Sequence, residues 1–152
     1  MRWSVCGRSM WVMSLTATSR SVPGTLRQHV LVDGRFHIAT DEPVEAGGDD
    51  SAPAPHELLP AALASCVSTT LLMYARTKGW DLGRVVVEVD YDHTARPRRC
   101  EIVIRIEREL TVDQQARLEK VSASCPVRRA IEGGIVFDER IESPGGTAIR
   151  AA

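Results

Sequence analysis

The chain has 152 residues, of which 19 are Lys or Arg and 20 are Asp or Glu, so its formal net charge is −1. This length suits one domain with a substantial core. The balanced charge gives no electrostatic basis for binding nucleic acid or an acidic membrane surface. The four cysteines, at 6, 66, 100 and 125, are widely spaced and form no CxxC pair. This pattern is typical of a reducing cytoplasm rather than of a secreted disulfide scaffold, so we expect a cytoplasmic protein.

The N-terminal segment, residues 1–24, shows no clear hydrophobic period and is rich in Ser and Thr. Arg8 interrupts the apolar stretch that a signal peptide would need. We expect a disordered extension or a start codon assigned too early, with Cys6 irrelevant. The folded domain is expected at 25–142, followed by a frayed tail at 143–152.

Alternating residues from Leu26 to Val32 predict a strand, and Asp33-Gly34 predicts a hairpin turn into a second strand at 36–40. Residues 41–55 then form a long segment rich in Gly, Pro and Asp. Loops of this length inside a compact domain are usually functional or disordered, and this one leads directly into an apolar helix, which favours function.

The segment from Leu58 to Ala75 contains no charged residue. A helix that is apolar on every side is buried or lies in lipid. Its length only just reaches the lower bound for crossing a bilayer. It also carries Pro60 and several Ser and Thr residues, so we interpret it as the central helix of a soluble core with no membrane partner. Cys66 then lies inside that core.

Two further strands are predicted at 85–91 and 102–106 by alternating Val and Ile residues. The pattern Thr111-x-x-Gln114 is a capping box that begins a second helix, whose apolar face extends to Cys125. Pro126 favours a new helical segment with Cys125 as its cap. A last strand is predicted from the apolar residues Ile135, Phe137 and Ile141.

Two cysteines, Cys66 and Cys125, lie on the apolar faces of the two main helices, which could bring them together. Buried cysteines often only pack as small hydrophobic residues. However, Cys125 stands near a helix start with two arginines following, and both features lower a thiol pKa. From these neighbouring residues alone, we expect Cys125 to be the more thiolate-like sulfur.

Sites that combine these thiols with His56 are less well supported. A metal site formed by Cys66, Cys125 and His56 would be short of ligands, and its spacing fits no usual pattern. A Cys–His nucleophile is awkward as well, because ten residues of helix would separate His56 from Cys66 by about 15 Å.

The run from Asp41 through Gly47-Gly48 to the segment 54–66, Ala-Pro-His-Glu-Leu-Leu-Pro-Ala-Ala-Leu-Ala-Ser-Cys, resembles the OsmC/Ohr family of thiol peroxidases. So does Cys125-Pro126-Val127, and the resemblance extends over about Leu26 to Ile141. It implies an α+β fold with antiparallel sheets around a long buried central helix, in an intertwined homodimer.

The resemblance also implies the chemistry of the site. Cys66 would attack an organic hydroperoxide and become a sulfenic acid, and Cys125 would resolve it as a disulfide. This order of roles reverses the local ranking of the two thiols. An external dithiol would supply electrons, no metal or organic cofactor would be needed, and the apolar helix would favour hydrophobic peroxides over hydrogen peroxide.

The family's better-known branches add a Glu ten residues before the first cysteine and an Arg from an N-terminal strand. Here His56 is ten residues back, and Glu57 is nine back. Some branches of the family have a Glu at that ninth position, so Glu57 is the candidate carboxylate, and the alternative is that it is structural. Arg27 is the preferred arginine because of its strand position, with Arg35 as the second choice.

Two other functions remain open from the sequence. The first is a carrier or sensor of apolar ligands in which the cysteines only pack. The second is a hydrolase or acyl transferase that uses Cys66 without forming a disulfide.

Overall fold

In the computed structural model, the described residues are 15–142 and 149–150. The prediction for Cys6 therefore lies outside the described residues. The chain divides into two compact units, the first ending at Leu58 and the second beginning at Leu59.

The first unit contains a three-stranded antiparallel sheet of β1 (Ala17–Ser21), β2 (Gln28–Val32) and β3 (Phe36–Thr40), in that spatial order. The hairpin predicted at Asp33-Gly34 is confirmed, because both residues have positive φ, 51° and 66°. Such a pair of left-handed residues closes a tight turn between antiparallel strands.

Strand β1 lies inside the segment that the sequence predicted to be disordered, residues 1–24. Its sequence, Ala-Thr-Ser-Arg-Ser, is polar and fully exposed, so no hydrophobic alternation marks it. The strand is instead defined by backbone pairing with β2, from Ala17 opposite Val32 to Ser21 opposite Gln28. The ordered region thus begins earlier than predicted.

The central helix α1 spans Leu58–Lys78 and is preceded by a 3₁₀ turn at Pro55–Glu57. Pro60 stands in the first turn, where its missing N–H has no helical partner to lose. Gly79, with φ of 67°, ends the helix in the left-handed conformation. By length and composition alone the segment Pro55–Lys78 could cross a membrane, a test that core helices of soluble proteins also pass.

Helix α1 contributes one face to the core of the second unit. Its buried residues, Leu63, Val67, Leu71 and Ala75, are spaced four apart. The single chain therefore buries only one stripe of this helix, whereas the sequence suggested burial on every side. Leu72 and Met73, on other faces, are 44% and 65% exposed.

The rest of the second unit covers that stripe. Strands β4 (Val85–Asp92) and β5 (Arg99–Ile106) form an antiparallel hairpin with alternating burial. Helices α2 (Val112–Ser122) and α3 (Pro126–Gly133) follow. The predicted capping box of α2 is confirmed: the Thr111 N–H donates to the Gln114 side chain at 2.9 Å, and the Gln114 N–H donates to the Thr111 hydroxyl at 3.2 Å.

The predicted last strand is much shorter than expected. Only β6 (Arg140–Ile141) is extended and paired, with β7 (Ile149–Arg150) inside the tail expected to be frayed. Ile135 and Phe137 are 64% and 75% exposed in irregular backbone. Their apolar side chains have no strand to pack with in the part of the single chain that the structure describes.

Candidate thiol site

The two helices of the second unit position Cys66 and Cys125. Cys66 lies in the third turn of α1, beside the buried Val67, and is half-buried. Cys125 is fully buried in the same core cluster as Val67 and Leu118. It precedes α3 as its N-cap, with Pro126 at the first helical position, where proline costs no hydrogen bond.

The two thiols lie close enough to shift each other's pKa, with the Cys125 thiol acting as a donor toward the Cys66 sulfur. Burial alone would raise the pKa of Cys66. This effect is outweighed by the Cys125 thiol, the Val127 backbone N–H and the Thr70 hydroxyl, so that the pKa of Cys66 is lowered. Donors directed at a charged acceptor favour its charged form.

The opposite shift applies to Cys125. Burial and its hydrogen bond to Cys66 raise the pKa of Cys125, while the backbone N–H groups of Arg128 and Val127 only partly offset them. The two thiols are therefore unequal: Cys66 is the more easily ionised sulfur, and Cys125 is the one that better keeps its proton.

The local ranking of the two thiols from sequence was therefore wrong. It counted the start of α3 and the following arginines in favour of Cys125. In the structure the Val127 N–H at that helix start also serves Cys66. Arg128 donates from Nε to Glu132 at 2.7 Å, so its charge is already paired.

The other two predicted site residues, Glu57 and Arg27, belong to the first unit. The Glu57 carboxylate accepts the Ala54 backbone N–H at 2.8 Å and so caps the turn that leads into α1. The Arg27 guanidinium donates from Nη1 to the Ser51 hydroxyl at 2.6 Å. Their action on Cys66 stays a prediction.

The second arginine candidate, Arg35, has a local role at the hairpin tip. It pairs with Asp33 at 3.1 Å and lies over the Phe36 ring, 4.7 Å from its centroid. Of the two candidates, Arg27 is the one connected to the loop that precedes α1.

A residue that the sequence reasoning did not single out organises that loop. The Asp41 carboxylate is buried and accepts the Ser51 hydroxyl at 2.6 Å, together with the backbone N–H groups of Glu42, Ser51 and Asp49 at 2.9, 3.2 and 3.3 Å. The Ser51 hydroxyl that donates to Asp41 also accepts the bond from Arg27. The feature of the sequence that could have identified Asp41 is its position as an acidic residue at the start of a Gly-rich loop.

A cleft of about 460 Å³ is lined by several residues that are close in sequence to the two thiols. Its lining includes Leu63, three residues before Cys66, and Arg128, three residues after Cys125, but neither of these two cysteines. Ile102 and Ile131 add apolar surface, and the exposed Cys100 also lines it. Arg98 and Glu132 complete the lining, so the cleft combines apolar and charged surface.

Metal ligation finds no support in the part of the chain that the structure describes. Within residues 15–142 and 149–150, no group of three His, Cys, Asp or Glu side chains could hold a metal ion. The thiol site presents two sulfurs whose pKa values are shifted in opposite directions.

An α+β unit with two facing thiols on the central and C-terminal helices defines a class of protein, and comparison with known proteins specifies it. The family model described as OsmC-like protein matches residues 48–140, more than half of the chain. The chain belongs to the OsmC-like family. Among curated proteins, none matches it significantly.

Solved structures agree with this assignment. A protein from Psychrobacter arcticus described as an osmotic stress-induced and detoxification response protein is 30% identical, with a TM-score of 0.65 over 80% of this chain and 91% of that one. Two others share the fold at lower identity. An organic hydroperoxide resistance protein OsmC from Legionella pneumophila is 23% identical, with a TM-score of 0.59 over 80% and 91% of the two chains. An OsmC-like protein from Mycoplasma pneumoniae is 18% identical, with a TM-score of 0.66 over 79% and 88%.

Proposed function

We propose that this protein reduces organic hydroperoxides with Cys66 as the attacking thiolate and Cys125 as the resolving thiol. The observation that carries the proposal is the pair of interacting thiols in one core cluster, with the pKa of Cys66 lowered and that of Cys125 raised. A lowered pKa increases the fraction of nucleophilic thiolate, and a thiol neighbour provides the second sulfur of a disulfide.

The reaction balances in two steps. The Cys66 thiolate attacks the terminal oxygen of the hydroperoxide, the O–O bond breaks, and the products are the Cys66 sulfenic acid and an alcohol formed with one proton. Cys125, as a thiolate, then attacks the Cys66 sulfur and displaces hydroxide, which gives the disulfide. An external dithiol reduces that disulfide and restores both thiols.

The substrate class is supported by two features. The cleft of about 460 Å³ presents the apolar side chains of Leu63, Ile102 and Ile131 together with three charged side chains. The Legionella relative carries organic hydroperoxide resistance in its name. By reducing organic hydroperoxides in the cytoplasm, the protein would take part in oxidative-stress defence.

The active form is a homodimer in this proposal. Apolar residues on the uncovered side of α1, Leu59, Leu72 and Met73, are 37%, 44% and 65% exposed in the single chain. Contact with a second copy of the chain would bury this helix face.

The test is turnover of cumene hydroperoxide with dithiothreitol as the reductant. Cys66→Ser is expected to reduce turnover to the uncatalysed rate, because the hydroxyl is not ionised at neutral pH. Val112→Ala, which alters a side chain that is 87% exposed and lies outside the cleft, is the control and should retain full activity. Full activity in Cys66→Ser would refute the proposal.

The preference for apolar peroxides has its own comparison. Cumene hydroperoxide should react faster than hydrogen peroxide at equal concentration, because its ring can be buried in the cleft. Equal rates would show that the apolar lining of the cleft does not select the substrate.

One observation favours a second candidate, the binding of an apolar ligand without chemistry. A separate cleft of about 470 Å³ is lined largely by apolar side chains, among them Leu71, Ile104, Ile106, Leu110 and Leu118. A carrier would bind its ligand equally well after Cys66→Ser, whereas a peroxidase would lose its activity.

A further inference from the structure

Thr70 lies four residues after Cys66 on α1, and its side chain contacts the residue that carries the candidate thiolate. The Thr70 hydroxyl donates to the Cys66 backbone carbonyl at 2.7 Å. Threonine commonly forms this bond to the preceding turn of a helix. The same hydroxyl is also within hydrogen-bonding reach of the Cys66 sulfur.

A hydroxyl has one proton and can donate fully to only one acceptor at a time. With Cys66 as a neutral thiol, the carbonyl oxygen is the better acceptor, because a thiol sulfur accepts weakly. With Cys66 as a thiolate, the sulfur becomes a charged acceptor, and bonds to charged acceptors are about twice as strong as neutral ones.

Moving the proton has little cost to the helix. The Cys66 carbonyl also lies at the position that accepts the Thr70 backbone N–H in the i to i−4 pattern of an α-helix, so it keeps a donor when the hydroxyl turns away. A rotation of the hydroxyl proton about the C–O bond is sufficient, since the oxygen is already within reach of both acceptors.

We propose that Thr70 is a switching donor, whose hydroxyl transfers its hydrogen bond from the Cys66 carbonyl to the Cys66 sulfur when that sulfur carries negative charge. Thr70 then stabilises the thiolate before attack without any movement of α1. The inference deepens the peroxidase proposal and rests on it for its biological meaning, but the thiolate itself can be measured without a peroxide.

Three groups lower the pKa of Cys66, and they are the candidates for stabilising its negative charge. The one that titrates is the Cys125 thiol, and the other two are the Val127 backbone N–H and the Thr70 hydroxyl. Only Thr70 can be removed without altering the second sulfur or the start of α3.

The experiment measures the rate at which iodoacetamide alkylates Cys66, followed by peptide mass mapping, across a range of pH. Thr70→Val keeps the side-chain shape and removes the hydroxyl. Its Cys66 should be alkylated about tenfold more slowly at neutral pH, the size expected for a lost bond to a charged group. The midpoint of the pH profile should move upward, because the thiolate loses a donor.

Two variants separate this effect from a general change in the helix. Thr70→Ser retains the hydroxyl and should keep the alkylation rate within about twofold of the original protein. Thr77→Val removes a similar bond, from the Thr77 hydroxyl to the Tyr74 carbonyl at 2.7 Å in the same helix, and should leave Cys66 unchanged. Thr70→Ala serves if the valine variant does not fold.

An unchanged pH profile in folded Thr70→Val or Thr70→Ala would overturn the inference, as would an equal shift in Thr77→Val. The outcome for the peroxidase proposal is separate. If Cys66 in the original protein shows the thiolate profile and the Thr70 effect but consumes no cumene hydroperoxide, the inference stands and the proposed function fails.

Discussion

The two sulfurs differ because their hydrogen bonds are directional. Cys66 accepts from the Cys125 thiol, whereas Cys125 must keep its proton to donate. This asymmetry makes the half-buried Cys66 the more easily ionised thiol and leaves the proton on the buried Cys125. A sulfenic acid formed at Cys66 would thus have its reaction partner already in contact, which limits further oxidation.

At the same scale, Asp41 is predicted to stabilise the first unit in a pH-dependent way. The Ser51 hydroxyl, opposed by burial and helped by three backbone N–H groups, holds the pKa of Asp41 below its ordinary value of 3.8. A carboxylate with a lowered pKa contributes stability that is present above the ordinary value and lost as the pH falls through the folded value.

Asp41→Asn should therefore lower the melting temperature at neutral pH, because an amide cannot accept all four donors. The difference from the original protein should shrink on acidification below 3.8. Thermal unfolding followed by circular dichroism measures both. Asp49→Asn makes the same change of charge at an exposed side chain and should have little effect. A difference that stays constant with pH would contradict this role.

At the scale of the element, the buried stripe of α1 should carry most of the stability of the second unit. Leu71 is fully buried among Val67, Leu118 and the strand hairpin. Leu71→Ala should reduce the free energy of unfolding by about 2–5 kcal/mol, the range for a large-to-small change in a core. Urea denaturation measures the change.

A matched control for this prediction is Val112→Ala at the start of α2, where the side chain is 87% exposed. Its effect should lie within about 0.5 kcal/mol, as for most surface changes. Equal losses in the two variants would show that the stripe is not the core of the unit.

The elements that could be predicted from sequence are those with local signals. The Asp33-Gly34 turn, the capping box from Thr111 to Gln114 and the end of α1 at Gly79 depend on residues within a few positions of each other. Strand β1 could not be predicted, because its polar residues are defined only by pairing with β2.

The site was predictable only in part for the same reason. The resemblance to the OsmC/Ohr family paired Cys66 with Cys125, but the local argument assigned the lower pKa to the wrong sulfur. The donors that lower the pKa of Cys66 include Val127, which is far away in sequence. Likewise, neither Asp41 as the centre of its loop nor the bond between Arg27 and Ser51 follows from a motif.

At the scale of the whole molecule, the uncovered side of α1 predicts self-association. Light scattering should give about twice the chain mass of 16.7 kDa in micromolar solution. Met73→Glu places a charge on that side, where Met73 is 65% exposed in the single chain. It should shift the protein toward the monomer, because burying an unpaired charge opposes association.

Val112→Glu is the control for this test, since it adds the same charge at an exposed position outside α1. It should leave the measured mass unchanged. A monomeric original protein, or a dimer that tolerates Met73→Glu, would contradict the assignment of the α1 face as the interface.

The most direct test of the account is peptide mass mapping of the reduced protein after one equivalent of cumene hydroperoxide. A disulfide between Cys66 and Cys125 is expected in the original protein and in Cys100→Ser, and its absence is expected in Cys66→Ser. Cys125→Ser should instead accumulate a sulfenic acid at Cys66, which dimedone would trap. If both thiols stay reduced in the folded protein, the peroxidase mechanism is contradicted.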